Sequence, residues 1–280
     1  SSIMDYFIHL DALDSIALSG TRADGWYLDE AKAAMEAGEI TYAGKYSAPD
    51  YEQILAANCG LAIENTMILH TPEVKEQLEK VNIPVLVEHS SYESHPMGRM
   101  EWIKLYGLLL GKTDEAEKFF DEKVRQLNEM QAADTGKTVA FFYISSTGSV
   151  NVRKPGDYVS KMIDMAGGSY VPTAQQLKVD DNALSTMNMQ MEAFYAAAKD
   201  ADYIIYNSTI EGDLQTISQL TQKSSLLKDF KAVQTGNVWC TEKNMFQQTT
   251  GAADMIADLN RIVTGQADQT DQLTFLHRLK

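Results

Sequence analysis

A long amphipathic segment near the middle of this 280-residue chain constrains its architecture more than any other feature. Beginning at Thr113, the sequence TDEAEKFFDEKVRQLNEMQAAD places apolar residues at helical spacing. About twenty residues at a rise of 1.5 Å each form a rod of roughly 30 Å, long enough to run from one lobe of a protein to another. An ordinary surface helix would show the same pattern, but a position midway between two α/β halves favours a linking helix. The predicted apolar face comprises Ala116, Phe119, Phe120, Val124, Leu127 and Met130.

Short β-branched runs alternate with amphipathic helical stretches on both sides of this segment. Because no Asn-Gly or Asp-Gly turn joins two apolar strands, the pattern favours parallel β-α-β layers. We therefore predict an α/β fold with two parallel-sheet lobes, one long connecting helix and a ligand cleft between the lobes. The predicted domains are an N-terminal lobe at 1–112, the linking helix at 113–134 and a C-terminal lobe at 135–280. The predicted strands are 15–18, 40–42, 61–64, 85–87, 139–144, 203–206 and 238–240, and the main predicted helices besides the linker are 99–110, 158–166, 189–199 and 252–263.

The stretch from Tyr42 to Lys112 carries a family resemblance. It contains, in order, a Pro-Asp-x-Glu-x-Ile helix start, an apolar strand, a helix, an Ile-Pro-Val strand and a further helix, at 49–54, 61–64, 73–80, 83–87 and 99–110. This order resembles the first lobe of the ABC-transporter solute-binding proteins that capture iron-siderophores, haem and cobalamin. The resemblance implies a monomeric protein that is not an enzyme, needs no cofactor, binds a small metal chelate and delivers it to a permease dimer.

The resemblance also implies a location outside the cytoplasmic membrane, periplasmic or lipid-anchored. The chain opens on a helix-like pattern, whereas lobes of this family begin with a strand. We therefore expect the first strand, a signal sequence and a lipid-anchor cysteine upstream of Ser1.

Composition indicates which partners are unsuitable and whether the two cysteines form a disulfide. Lys and Arg number 24 against 39 Asp and Glu, so the formal net charge of −15 repels nucleic acid, and we expect no nucleic-acid partner. Cys59 and Cys240 fall in different predicted lobes. A disulfide between them would lock the lobes together, so we expect two free, buried thiols.

Motifs for catalysis are missing from the sequence. Gly111-Lys112-Thr113 resembles the end of a phosphate-binding loop, but position 106 is Tyr where that loop needs Gly, and the preceding residues read as helix. A two-lobed α/β enzyme nevertheless remains an alternative. A second alternative is a related zinc or manganese binding protein, which would require His70, His89 and His95 to converge with a carboxylate. We expect instead that these histidines are scattered loop residues and that the protein has no metal ligands of its own.

The ligand site is predicted from the rule that ligands meet the carboxyl ends of parallel strands. This rule selects the loops at 21–27, 45–46, 66–69 and 89–95 in the first lobe, and at 145–153, 207–210 and 242–246 in the second. Aromatic and thioether side chains suit a flat ligand, and Arg and Lys suit its carboxylates or catecholates. The candidate ligand-binding residues are Arg22, Trp26, Lys45, Tyr46, Met67, Tyr92, Arg153, Asn207, Lys243, Met245 and Phe246.

Met67 from this set, and His70 and Arg99 outside it, have competing interpretations. Met67 and the nearby His70 can act as axial ligands to haem iron, although Met is more often a gap filler in a core. Arg99 lies either at the cleft beside Tyr92 or in a capped helix that anchors the hinge.

The resemblance further implies one acidic residue on the outer surface of each lobe that contacts arginines of the permease. Glu73, at the start of the helix after the 61–64 strand, is the first-lobe candidate, and Glu211 is the second-lobe candidate. Either acid could instead serve only the positive end of its helix dipole.

Overall fold

The computed structural model describes residues 2–130, 132–269 and 273–280. The chain divides into two compact α/β units. The first comprises Ser1–Glu93, Glu101–Lys118 and Gln247–Thr249, and the second comprises Ser94–Met100, Phe119–Phe246 and Thr250–Lys280. The predicted domain limits remain a proposal, and position 131 of the predicted linking segment lies outside the described residues.

Short elements make up the part of the chain before residue 113. Many of them begin at capping residues: Asp50 accepts a hydrogen bond from the Gln53 amide, and Asn65 accepts one from the Met67 amide. The helices and strands are α1 (Ser2–His9), β1 (Leu18–Ser19), α2 (Asp29–Glu36), β2 (Thr41–Tyr42), β3 (Gly44–Lys45), β4 (Ala48–Pro49), α3 (Tyr51–Ala56), β5 (Ala62–Asn65), α4 (Pro72–Lys80), β6 (Val85–Glu88), α5 (Pro96–Glu101) and α6 (Ile103–Leu110).

Two of the three strand pairs in the first unit are parallel. β1 pairs with β2, and β5 pairs with β6. The segment between β5 and β6 contains α4, and a helical crossover of this kind allows two consecutive strands to run parallel. The core beneath α4 contains Ile68, Val74, Leu78 and Ile83. β3 and β4 form an antiparallel hairpin with Tyr46 in its turn, an arrangement that the prediction of purely parallel layers missed.

The turn between α6 and the next helix depends on two glycines. Gly111 ends α6 with a left-handed backbone at φ 69°, which glycine adopts without strain. At Gly107 an added Cβ would lie 2.5 Å from the Cβ of Ala116, so only glycine allows the two helices to approach here. Trp102 separates α5 from α6, so the predicted single helix at 99–110 is in fact two shorter helices.

The predicted long helix is α7 (Thr113–Met130). Ala116 is fully buried, and the other five residues of the predicted apolar face are partly buried, as the helical period requires. Within the second unit, Leu127 and Met130 pack against the core. Lys123 Nζ lies 2.7 Å from Asp254 Oδ2, which ties the helix to the same unit.

After α7 the chain builds one large sheet with helices around it. The elements are β7 (Lys137–Ile144), β8 (Val150–Arg153), α8 (Tyr158–Met165), β9 (Gly168–Val171), α9 (Ala174–Leu177), β10 (Thr186–Met189), α10 (Met191–Ala198), β11 (Tyr203–Tyr206), α11 (Ser208–Glu211), α12 (Ile217–Lys223), α13 (Lys231–Gln234), β12 (Val238–Thr241), α14 (Ala252–Val263) and β13 (Leu276–Arg278).

The seven-stranded sheet of the second unit has the order β10-β8-β7-β11-β12-β13, with β9 also paired to β7. β9, β7, β11 and β12 run parallel to one another. Side chains of β7 alternate between the two faces, so Phe142 enters one core and Phe141 enters the other. Both faces are therefore covered, and β7 and β11 read as nearly continuous apolar runs.

Three strands of this sheet are antiparallel to their neighbours. β8 returns beside β7, β10 pairs with β8, and β13 pairs with β12. The prediction of a single loop at 145–153 is therefore wrong, because its second half forms β8. β13 was not among the predicted strands. Among the described helices, we find none that combines the length and the apolar character needed to span a bilayer.

Candidate functional site

The candidate site in the second unit is built around Arg153, the last residue of β8. The hydroxyl of Tyr170, in β9, accepts from the Arg153 amide at 2.9 Å and donates to the Arg153 carbonyl at 2.9 Å. A single side chain thus holds both backbone polar groups of Arg153. This clamp fixes the base of the arginine side chain, which is the prerequisite for a preorganised contact.

The Arg153 guanidinium lies between an acid and aromatic rings. Its Nη1 atom is 3.7 Å from Asp157 Oδ2, and its carbon lies 4.9 Å from the ring centre of Phe246 and 5.7 Å from that of Phe141. Asp157 is almost fully buried and caps α8 by accepting from the Val159 amide at 3.0 Å. Burial raises the pKa of Asp157, and the nearby Arg153 charge opposes that rise.

A second guanidinium joins the same cluster through Tyr158. The Arg99 guanidinium carbon lies only 3.6 Å from the centre of the Tyr158 ring, a close cation-π contact. The Tyr158 ring also meets the Phe246 ring edge to face, with 6.4 Å between centres. Burial raises the pKa of Tyr158 to about 12, so its hydroxyl stays protonated at neutral pH and can donate a hydrogen bond.

Arg99, Arg153, Asp157, Tyr158 and Phe246 form what we name the arginine cluster. Among its charged groups two are positive and one is negative, so the cluster carries an excess of one positive charge. Guanidinium groups bind carboxylates and catecholates through paired hydrogen bonds, and the aromatic rings favour flat organic surfaces. The cluster is therefore suited to an anionic, partly aromatic ligand.

A pocket of about 510 Å³ opens elsewhere on the second unit. Its lining includes His95, Lys161 and Asp164. The lining also includes Gly156, which precedes Asp157 in the chain, and Tyr170, whose hydroxyl is hydrogen-bonded to Arg153. Burial lowers the pKa of His95, and the Lys161 charge lowers it further. None of the predicted ligand-binding residues lines this pocket.

Of the other predicted ligand-binding residues in the second unit, one is exposed and two are buried. Lys243 is exposed on the loop after β12. Met245 is 7% exposed and packs in the core, and the buried Asn207 caps α11 by accepting from the Thr209 amide at 3.1 Å. Packing and capping account for Met245 and Asn207, so we leave both out of the proposed binding set.

The predicted residues of the first unit are mostly at its surface. Arg22 is exposed, with its guanidinium carbon 4.7 Å from the ring centre of Tyr42. Trp26 is only 5% exposed and packs among Met4, Leu28 and Ile40, so the core accounts for its position. Lys45 and Tyr46 lie on the β3–β4 hairpin, and Met67 and Tyr92 lie on short 3-10 turns. Met67 and Tyr92 have large exposed fractions, 44% and 64%.

Among the residues that the structure describes, one group of metal-ligating side chains converges, and it consists of Asp213, Cys240 and His277. His70, His89 and His95 belong to no such group. We predicted no metal ligands, because we expected the histidines to be scattered loop residues. Both cysteines are free, and Cys240 is buried as predicted, whereas Cys59 is partly exposed.

Arg153 and Phe246 of this cluster were among the residues predicted from the sequence, whereas Asp157 and Tyr158 were not. The sequence Gly156-Asp157-Tyr158 before an amphipathic run is a recognisable helix start, and it could have placed an acid and a ring at one helix terminus. Nothing in the sequence places Arg99 over Tyr158, since 59 positions separate them.

Comparisons with known proteins give a family match and similar sequences. The sequence profile described as periplasmic binding protein matches residues 3–245. Two uncharacterized lipoproteins of Methanocaldococcus jannaschii are similar in sequence, one 26% identical over 255 residues and the other 28% identical over 180 residues. These matches cover 86% and 62% of this chain but only 57% and 44% of the relatives, so the chain spans about half the length of the curated relatives it matches.

Solved structures share the fold at low sequence identity. The periplasmic heme binding protein HutB of Vibrio cholerae superposes with a TM-score of 0.74 at 15% identity, over 95% of this chain and 96% of HutB. A periplasmic heme binding protein of Pseudomonas aeruginosa gives 0.70 at 15% identity, over 100% and 95%. Staphylococcus aureus IsdE complexed with heme gives 0.64 at 16% identity, over 94% and 95%.

Proposed function

We propose that this chain, which belongs to the periplasmic binding protein family, captures an anionic iron chelate and delivers it to an ABC permease. Proteins of this kind are solute-binding components of transporters rather than enzymes, and they act outside the cytoplasmic membrane. Our proposal concerns the cargo: an iron-siderophore or haem, in preference to cobalamin.

The arginine cluster carries this proposal. Two guanidinium groups lie against aromatic rings at one place in the second unit, and the Asp157 carboxylate lies 3.7 Å from one of them. Haem has propionate carboxylates, and catecholate siderophores have anionic oxygens, whereas cobalamin offers no carboxylate. A cationic and aromatic surface therefore favours the first two classes. The similar structures titled as heme binding proteins support the same class of ligand.

Each unit has its own proposed binding residues. Arg153 and Phe246 belong to the cluster, and Lys243 lies on the same loop as Phe246. In the first unit we retain the exposed or partly exposed candidates, which are Arg22, Lys45, Tyr46, Met67 and Tyr92.

Delivery requires a permease, and we propose Glu73 and Glu211 as the acids that contact it. Glu73 is exposed in the first turn of α4. Glu211 is exposed at the end of α11, and its Oε1 accepts from the Ser146 amide at 3.2 Å. The two archaeal relatives are lipoproteins, which supports a lipid anchor.

A ligand panel tests the cargo. Purified protein is titrated with haemin, a ferric tris-catecholate, a ferric tris-hydroxamate and cyanocobalamin, and binding is followed by ligand absorbance and by quenching of tryptophan fluorescence. We expect the tightest binding among haemin and the catecholate complex. Binding only of cyanocobalamin, or of no chelate in the panel, would contradict the proposal.

Cluster variants show whether the bound chelate uses this surface. Arg99→Met and Arg153→Met each remove a charge while keeping an apolar stem over the ring below. Lys228→Met, on a 3-10 helix of the second unit, is the control, because its charge lies outside the cluster. We expect weaker chelate binding in both arginine variants and unchanged binding in the lysine variant.

A further inference from the structure

Three side chains that can bind a transition metal come from three separate segments of the second unit. Cys240 in β12 and His277 in β13 are direct partners in the antiparallel register, so their side chains leave the sheet on the same face. Asp213 lies in the segment between α11 and α12 and reaches the same point. None of the three belongs to the arginine cluster.

The distances between the donor atoms match a tetrahedral zinc site. Cys240 Sγ lies 3.8 Å from Asp213 Oδ1, and His277 Nε2 lies 3.5 Å from the same oxygen. With usual zinc bond lengths, tetrahedral coordination places a sulfur and an oxygen about 3.6 Å apart, and a nitrogen and an oxygen about 3.4 Å apart. These two separations agree with those values to within about 0.2 Å. The imidazole must turn away from the Leu214 carbonyl, whose oxygen lies 2.7 Å from Nε2, before an ion binds.

Neighbouring groups orient the donors toward that point. Glu242 Oε1 accepts a hydrogen bond from His277 Nδ1 at 2.7 Å, so Nε2, which now faces the Leu214 carbonyl, is the nitrogen that would bind a metal. Gln215 Nε2 donates to Asp213 Oδ2 at 2.6 Å, which leaves Oδ1 for the same purpose. A carboxylate behind a ligating histidine is the usual support of a zinc site.

We propose that Asp213 Oδ1, Cys240 Sγ and His277 Nε2 bind a zinc-class divalent cation, with a water molecule as the fourth ligand. Thiolate and imidazole select Zn²⁺ over Mg²⁺ or Ca²⁺, which prefer oxygen ligands. On binding, the ion replaces the Cys240 thiol proton and the His277 Nε2 proton, which now points to the Leu214 carbonyl at 2.7 Å. Both protons pass to solvent, and no redox change occurs.

The bound ion would join the last strand to the rest of the second unit. β13, β12 and the segment between α11 and α12 each supply one ligand, so binding cross-links three parts of the chain. Cys240 is fully buried, whereas Asp213 has a side chain 33% exposed, so the ion enters from the Asp213 side. This role is structural and does not depend on the nature of the transported chelate.

Cobalt and zinc binding test the proposal, and the chain supplies a matched control. EDTA-treated wild type, Cys240→Ser and Cys59→Ser are titrated with Co²⁺, whose thiolate complexes absorb in the near ultraviolet, and then with Zn²⁺ against a chromophoric chelator. We expect one ion per chain with thiolate absorption in the wild type and in Cys59→Ser. In Cys240→Ser the thiolate absorption should be lost and the zinc affinity should fall at least tenfold.

A second variant keeps the test decisive if Cys240→Ser fails to fold. Glu242→Gln retains all three ligands and removes only the supporting carboxylate, so zinc should bind about 10- to 100-fold more weakly. Circular dichroism and the thermal unfolding midpoint report on folding, and Zn²⁺ should raise that midpoint in the wild type. Absence of stoichiometric zinc binding in the wild type would overturn the proposal. Equal zinc affinity in wild type, Cys240→Ser and Glu242→Gln would overturn it as well.

Discussion

The ion pair between Arg153 and Asp157 provides a test of whether Arg153 binds the ligand or only forms a structural salt bridge. If Arg153 binds an anionic group of the ligand, Asp157 repels that same group. Asp157→Asn removes the negative charge but keeps an amide oxygen that can accept from the Val159 amide and cap α8. The variant should therefore bind the ligand more tightly, although it loses an ion pair.

The size of the gain follows from the geometry. Arg153 Nη1 is 3.7 Å from Asp157 Oδ2, so a ligand anion on the far side of the guanidinium would lie about 6 Å from Asp157. Two unit charges at that distance repel by about 0.7 kcal/mol in water and about 3 kcal/mol at an effective dielectric constant of 20. The Arg153 and Asp157 side chains are only 15% and 6% exposed, so water screens them little and the upper part of this range is favoured. About 2 kcal/mol corresponds to roughly 30-fold tighter binding.

Acidity provides an independent check on the same reasoning. Burial raises the pKa of Asp157 in the folded protein above its ordinary value. As the pH falls toward that pKa, Asp157 becomes protonated and its repulsion of the ligand disappears. The wild type should then approach the affinity of Asp157→Asn, so the difference between the two proteins should shrink in acid.

The assay is a fluorescence titration with whichever of haemin or the ferric tris-catecholate binds in the panel. Arg153→Met should lose about 1 to 3 kcal/mol, or roughly 5- to 150-fold in affinity, because a charge-assisted contact is removed. When Arg153→Met and Asp157→Asn are combined, the ligand affinity should differ little from that of Arg153→Met alone. The reasoning is refuted if folded Asp157→Asn binds no more tightly than the wild type, or if Arg153→Met binds as well as the wild type.

Three further predictions concern stability and transport. Burial raises the pKa of Glu64 to about 7, above its ordinary value of 4.5, so the stability that its neutral form contributes is complete below pH 4.5 and is lost as the pH rises through 7. Glu64→Gln should therefore raise the thermal midpoint at pH 8 and leave it unchanged at pH 4.5, and the opposite order would contradict this. Gln247→Ala removes two hydrogen bonds to the backbone on either side of Trp26 and should cost about 1 to 3 kcal/mol, measured by urea unfolding. Glu73→Ala combined with Glu211→Ala should preserve chelate affinity and impair uptake in cells, and normal uptake by the double variant would remove both acids from the proposed permease contact.

Local periodicity in the sequence determined much of the secondary structure. The strand predicted at 203–206 and the helix predicted at 252–263 coincide with β11 and α14, and the long helix begins at Thr113 as expected. These elements are long or strongly apolar, and their spacing alone identifies which face is buried. The same reasoning made Arg153 and Phe246 candidate site residues, because both lie in segments predicted to be loops after apolar strands.

Only the tertiary structure decided how distant segments pair. β8 and β13 are short strands whose antiparallel partners depend on the whole sheet, and no local pattern distinguished them from loops. Trp26 looked like a ligand-binding ring in a loop, yet the core of the first unit encloses it. Asp213, Cys240 and His277 are 27 and 37 positions apart, and they meet because β12 and β13 are neighbours. Side-chain periodicity is a local property of the chain, whereas such contacts are created by long-range packing, which no short stretch of sequence specifies by itself.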